Sequence, residues 1–243
     1  MASVLILGAT SDVAMSVARK FASEKYNIFL AARNSERLKP MQSDLMIRYG
    51  VSCNLYEFDA MNFDNHSSFI SSLPELPAIT VCAFGYLGDE EAGRKELSET
   101  LKIIHSNYTG AVSILNSISS QYKLKREGCI IGISSVAGDR GRSSNYIYGS
   151  AKAGFTAYLS GLRNEMHHNN VSVISILPGF ISSKMTAHLT LPGMLTSTPD
   201  EVASRIYSSF KNKKNIVYVK WYWRWIMLII KLIPEGIFKK LKM

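Results

Sequence analysis

Short β-rich apolar runs alternate along the chain with longer segments whose apolar residues recur every three or four positions. SVLIL at 3–7 is followed by a helical period over 12–25, NIFLAA at 27–32 by one over 35–49, and VSCNLYEF at 51–58 by one over 65–73. AITVCAF at 78–84 precedes a long helical stretch over 94–125, and CIIGIS at 129–134 precedes a helix over 146–168. VSVISIL at 171–177, a helix over 199–211 and NIVYV at 215–219 complete the series. Seven strands with intervening helices predict an α/β fold, a doubly wound seven-stranded parallel sheet in a single domain over 1–219. Residues 220–243 form a separate amphipathic segment, and no linker or repeat divides the chain. Ligands of such sheets bind beyond the carboxyl ends of the strands.

Composition sharpens this picture in three places. The apolar share of 47% is enough to fill a large core. Cys53, Cys82 and Cys129 lie in β-like runs, odd in number and without metal-ligand spacing, so buried reduced thiols and no metal site are expected. Nearly all of the net charge of +9 sits in residues 211–243, where nine basic side chains face Glu235 alone. A neutral body with a cationic tail disfavours nucleic-acid binding. The N-terminus lacks the cationic region of a secretory signal, so a cytoplasmic location is expected.

The stretch LILGATSDVA reads as a Rossmann-like phosphate turn between strand and helix. Gly8 permits the sharp turn, and Thr10, Ser11 and Val13 bring donors of the helix N-terminus toward a phosphate. Asp12 replaces a glycine, and its carboxylate repels a pyrophosphate unless it turns aside, for instance to cap the helix. At the tip of the second strand Arg33 offers a guanidinium fork to a 2′-phosphate where NAD-binding sites carry an acid, which favours NADP(H) over NAD(H).

Tyr148 and Lys152 are spaced i, i+4 and project from one helix face, so the ammonium is expected to lower the phenol's pKa and make it a usable proton donor. Ser135 leaves the end of a strand and can hydrogen-bond a substrate oxygen, and the amide of Asn107, in HSNYTG, can hold a water that refills the relay through Lys152.

With the glycine turn, FDA at 58–60, NYTG at 107–110, ISS at 133–135, YGSAK at 148–152 and PGF at 178–180 in this order, the chain resembles the short-chain dehydrogenase/reductase family from residue 3 to about 219. The resemblance implies a catalytic tetrad of Asn107, Ser135, Tyr148 and Lys152. It implies that Asp59 and the adjoining Ala60 meet the adenine, that Pro178, Gly179 and Ile181 line the nicotinamide pocket with Tyr148 and Lys152, and that the protein is a homo-oligomer, dimer or tetramer. The family's Asn-Asn-Ala-Gly segment is replaced by CAFGYLGD, which keeps only Gly85 in its last place. GATSDVA, AFGYLGD, PGFISSKMT and the aromatic-basic tail together resemble the subgroup that includes bacterial decaprenylphosphoryl ketopentose reductases, which reduce a keto sugar carried on a polyprenyl phosphate.

The tail, KWYWRWIMLIIKLIPEGIFKKLKM, is too short in its apolar run to span a bilayer. If helical, it gathers Lys220, Arg224, Lys231, Glu235, Lys239 and Lys242 on one face, with Pro234 starting a second short helix. Trp221, Tyr222, Trp223 and Trp225 suit a water–lipid boundary with Ile226–Ile233 below it, so the segment docks on an anionic membrane surface or covers a partner subunit. Met185, Leu189, Leu191, Met194 and Leu195 form a greasy lid over an acyl or prenyl chain or over a smaller substrate. His167 and His168 are expected to be solvated at a helix end.

The function expected is NADPH-dependent reduction of a keto group on a lipid-linked sugar at the inner face of a membrane. The alternatives are reduction of a 3-oxoacyl, steroid-like or other apolar ketone, and a non-catalytic NADP-sensing scaffold.

Overall fold

A computed structural model describes residues 1–187 and 189–241. The strands are β1 (Ser3–Leu7), β2 (Asn27–Ala32), β3 (Cys53–Glu57), β4 (Ile79–Cys82), β5 (Gly128–Ile133), β6 (Val171–Leu177), β7 (Phe180–Ile181), β8 (Thr196–Ser197) and β9 (Ile216–Tyr218). The helices are α1 (Asp12–Ser23), α2 (Lys39–Tyr49), α3 (His66–Ser71), α4 (Glu90–Lys95), α5 (Leu97–Ile104), α6 (Gly110–Lys125), α7 (Tyr146–His167), α8 (Pro199–Lys211), α9 (Tyr222–Leu232) and α10 (Glu235–Phe238). Seven strands form one parallel sheet in the order β3-β2-β1-β4-β5-β6-β9, and β7 pairs with β8 in a small ribbon.

Alternation along the strands divides the core between the two faces of this sheet. Val4 and Ile6 of β1 pack with Val17 and Phe21 of α1, Leu45 of α2 and Ile206 of α8. Leu5 and Leu7 pack on the other face with Ile114 and Ile118 of α6 and Phe155 and Leu159 of α7. The three cysteines are buried and free, as their strand setting predicts. The chain order reverses direction across the sheet between β1 and β4, so the carboxyl ends of β1, β4, β5 and β6 open onto a common crevice.

Two stretches depart from the periodicity. The helix expected over 94–125 is three pieces: α4 and α5 meet at Glu96, whose backbone is extended, and a π turn over His105–Thr109 separates α5 from α6. The tail packs against the rest of the domain. Trp223 and Met227 of α9 are buried against Val136 and Leu177, and the Trp223 indole donates to the Leu195 carbonyl at 3.2 Å. The tryptophans assigned to a lipid boundary therefore divide, with Trp223 3% exposed and Trp221 71% exposed. The basic face is divided too: Lys220 turns inward and donates to the Thr196 carbonyl at 2.7 Å, and α9 ends at Leu232. Pro234 caps α10, as its position predicts, and Lys242 lies outside the described residues. No helix among the described residues is long and apolar enough to cross a membrane.

Candidate active site

The crevice holds a cavity of about 380 Å³. Thr10, Ser11, Asp12 and Val13 form one wall, Gly85 the floor beside β4, Ser135, Tyr148 and Lys152 the opposite wall, and Pro178, Gly179 and Ile181 the rim after β6. Gly8, Arg33, Asp59, Ala60 and Asn107 stand outside this lining.

Gly8 has φ +84°, and a Cβ there would lie 2.6 Å from Cβ of Phe84, so both the turn and the close approach exclude a side chain. Ser11 caps α1 by accepting from the Ala14 N–H at 3.2 Å. The helix-capping role considered for Asp12 is thus corrected. Its carboxylate leaves the turn and accepts from the Lys184 backbone N–H at 2.7 Å, with the Lys184 ammonium at 3.8 Å. With that charge drawn toward Lys184, the N–H groups of Asp12 and Val13, which open α1 and lie beside the cavity, are left to meet a phosphate. The turn therefore fits the diphosphate of a dinucleotide.

Arg33 is exposed one residue past the end of β2. The nearby acid Glu57, at the end of β3, is committed to the backbone: it accepts from the N–H groups of Asn34 at 2.8 Å and Ser35 at 2.9 Å. These bonds hold its carboxyl below the usual carboxylate range. A second cation, Lys102 on α5, feels the charge of Arg33 and donates to the Tyr86 hydroxyl at 3.2 Å. It was not foreseen, because 69 residues of sequence separate the two. Asp59 follows β3, where its side chain accepts from the Met61 N–H at 3.0 Å, and the Ala60 carbonyl packs so closely on Gly110 that a Cβ there would lie 2.2 Å away.

On the opposite wall, Tyr148 and Lys152 lie one turn apart on α7, and Nζ stands 5.8 Å from the centre of the phenol ring. The Ser135 hydroxyl hydrogen-bonds the phenol and accepts from the Ala137 N–H at 3.1 Å. Burial pushes the Tyr148 phenol up to about 12, opposed by the bond to Ser135, and draws the Lys152 ammonium down to about 8. The expected lowering of the phenol by the ammonium is thus overturned in the chain's own field. Desolvation dominates both groups, and the lysine donates to the Ile133 carbonyl at 3.3 Å.

Asn107 also differs from expectation. Its amide donates to the carbonyls of Tyr86 at 2.6 Å and Ile103 at 2.9 Å and accepts from the Tyr86 N–H at 3.2 Å. The amide is used to anchor the Gly85–Tyr86 backbone rather than to hold a water. Gly85 is required for this fit, since a Cβ would lie 2.8 Å from the Asn107 oxygen and 3.4 Å from the Lys152 ammonium.

The cavity roof combines the lid and the tail. Met185 and Leu189 line it with Trp223, which lies so close to Gly179 that a Cβ there would approach the indole to 2.1 Å. Tyr222 donates to the Met194 carbonyl, so α9 holds the base of the lid. Trp223, Arg142 and Asn145 also line the cavity and were not anticipated, because no local motif marks them. His167 and His168 are exposed at the end of α7, as expected.

A family model described as short chain dehydrogenase matches residues 2–192. An uncharacterized oxidoreductase of Mycobacterium tuberculosis is 32% identical over 243 residues, covering 99% of this chain and 97% of the relative. The 3-oxoacyl-[acyl-carrier-protein] reductase FabG of Aquifex aeolicus is 27% identical over 214 residues, covering 82% and 86%. Among solved structures, a short-chain dehydrogenase from Sphingobium yanoikuyae in complex with NADPH superposes with a TM-score of 0.84 at 19% identity, covering 99% of this chain and 96% of that one.

Proposed function

The chain belongs to the short-chain dehydrogenase/reductase family and is an oxidoreductase, and from that premise we propose that it uses NADPH to reduce the keto group of a polyprenyl-linked sugar at an anionic membrane surface. The observation that carries the reductase reading is the convergence of Ser135, Tyr148 and Lys152 on one cavity beside the phosphate turn. Gly8–Val13 and Pro178–Ile181 would hold NADPH, which would supply the hydride. The Arg33 guanidinium, with Lys102 nearby, supports the 2′-phosphate form of the cofactor, and the Sphingobium structure, solved with NADPH, supports the same choice. Asp59 and Ala60, beyond the same strand ends, suit the adenine.

The residues divide the chemistry. A phenol held near 12 carries its proton at neutral pH and can pass it to the carbonyl oxygen that Ser135 orients. The phenolate left behind needs the Lys152 charge, which is present below about pH 8. Asn107 fixes the Gly85 floor under the lysine.

The lipid-linked substrate and the membrane are supported by the roof and the tail. Met185, Leu189, Phe180 and Trp223 give the cavity an apolar wall. Outside it, Trp221, Trp225, Ile229 and Leu232 form an exposed stripe on α9, continued by Ile237 and Leu241 and accompanied by Arg224, Lys231, Lys239 and Lys240. Each cation near an anionic leaflet contributes about 1 kcal/mol. The peripheral location proposed is the cytoplasmic face. A second reading, reduction of a 3-oxoacyl or other apolar ketone, draws on the likeness to the FabG reductase.

NADPH oxidation with a polyprenyl-phosphoryl ketopentose and with a 3-oxoacyl thioester separates the two substrates. Turnover of the thioester alone overturns the sugar-lipid reading, and tight NADPH binding with no oxidation of any carbonyl favours a sensing scaffold. Because Trp223 and Met227 are buried, deleting the tail would open the cavity, so docking is tested with Trp221→Ser/Trp225→Ser. This pair should weaken co-sedimentation with vesicles of phosphatidylserine and phosphatidylcholine. Unchanged sedimentation, or a dimer that the pair dissociates, points to a second copy of the chain covering the stripe.

A further inference from the structure

One charged group in the cavity is unused by the reaction described above. Arg142, on the loop between β5 and α7, lines the cavity with Asn145 and Tyr148. Its Nε is buried with no hydrogen-bond partner among the described residues. Its Nη2 meets the thioether of Met227 at 3.6 Å. Asp139 is the acid whose charge reaches it, yet the Asp139 carboxylate is engaged by the Tyr218 hydroxyl at 2.9 Å.

The neighbouring arginines show what a settled guanidinium looks like in this fold. Arg140 donates to the carbonyls of Ile230 and Ile233 and pairs with Glu235 at 2.9 Å. Arg163 donates to the Val173 carbonyl at 2.8 Å and to Ser175 at 2.6 Å. Among the described residues Arg142 has no carbonyl or carboxylate within hydrogen-bond distance, and leaving its buried Nε without an oxygen partner is unfavourable. Its planar fork of donors matches the oxygens of a phosphate or carboxylate.

We propose that Arg142 seats an anionic group of the ketone substrate, a phosphate ester held in the cavity beside the carbonyl that Tyr148 protonates. This deepens the carbonyl-reductase reading and rests on it. The surrounding wall of Leu87, Val136, Phe180, Met185, Leu189 and Trp223 is apolar, so the ligand combines an oxyanion with an apolar body. Arg142 thereby sets specificity: it rewards the charged ketone, and it penalises a neutral one that leaves the cation unpaired.

The test compares 1-hydroxy-2-decanone with its phosphate monoester as substrates of the wild type, Arg142→Met and Arg142→Lys. The wild type should prefer the phosphate ester in kcat/KM. In Arg142→Met that preference should fall roughly 100-fold, chiefly through KM, with Arg142→Lys between the two. Equal kcat/KM for both ketones in the wild type, or a preference untouched in Arg142→Met, overturns the proposal while leaving the reductase reading intact. Failure of the wild type to reduce either ketone counts against the reductase reading for these substrates. Arg142 is then judged without turnover, from melting temperature in the presence of NADPH. Inorganic phosphate should raise the melting temperature of the wild type more than that of Arg142→Met, and equal shifts overturn the proposal. A folded Arg142→Met is itself expected, since the change removes a half-buried guanidinium whose Nε has no partner among the described residues.

Discussion

At the residue scale, the site is governed by desolvation more than by the charge pairing that its spacing suggests. Lys152 is buried, and its ammonium is held near 8 against an ordinary 10.5. At pH 7 the group is charged in both folded and unfolded chains, so the cost of burying it is present in full, on the order of 3 kcal/mol. That cost is relieved only as pH rises through 8, where the folded chain sheds the proton and the unfolded chain keeps it. Lys152→Met should therefore melt several degrees higher than the wild type at pH 7, and a lower melting temperature would contradict the reading. For the same reason wild-type reduction should slow as pH rises through 8, whereas a rate flat from pH 7 to 9 would dissociate the ammonium from the proton step. That Tyr148 and Lys152 share one face of α7 was legible from their spacing. The direction of the Asp12 carboxylate was not, because its partner Lys184 lies 172 residues away and is brought near only by the fold.

At the scale of elements, the strands and most helices follow their periodicities, from the Thr198–Glu201 capping box that opens α8 to the alternation that divides β1 between two cores. The misreadings concern α9 and the break in the helix over 94–125. Along α9 apolar residues occur on both faces, so sequence alone cannot tell the inward Trp223 from the outward Trp225. What fixes the choice is tertiary: the absence of a side chain at Gly179 lets the Trp223 indole lie against its backbone, and Arg140 binds the carbonyls at the helix end. Arg140 also stacks on Phe238, with its guanidinium carbon 3.6 Å from the ring centre. Arg140→Met removes the charged hydrogen bonds that hold the end of α9 and should ease its release by about 2 kcal/mol, which is roughly 30-fold. Tryptic cleavage after Lys231 should accelerate by about that factor, and an unchanged rate would show that Trp223 and Met227 suffice. In the second misreading, a π turn places Asn107 where its amide can reach the Tyr86 backbone, and an extended residue at Glu96 does not register in hydrophobic spacing.

Across the whole molecule, a parallel sheet buried on both faces sets both the stability and the convergence of the site. Cys53, Cys82 and Cys129 sit in its strands or at their edges, and burial pushes each thiol up to about 12 from an ordinary 9. Above pH 9 the unfolded chain loses thiol protons that the folded chain retains, so stability is lost progressively toward pH 12. Lys152 works in the opposite sense with a single charge, and three thiols outweigh it. The urea midpoint should fall between pH 9 and 11, and a flat profile would mean that the thiols are not buried in solution. The same sheet brings the carboxyl ends of four strands to one crevice, and the account depends on Tyr148 giving a proton there to a carbonyl oxygen. The most direct measurement is ketone-dependent NADPH oxidation by Tyr148→Phe, set beside its NADPH affinity. The account predicts that turnover falls by about two to four orders of magnitude with cofactor binding nearly unchanged; wild-type turnover in this variant would contradict it.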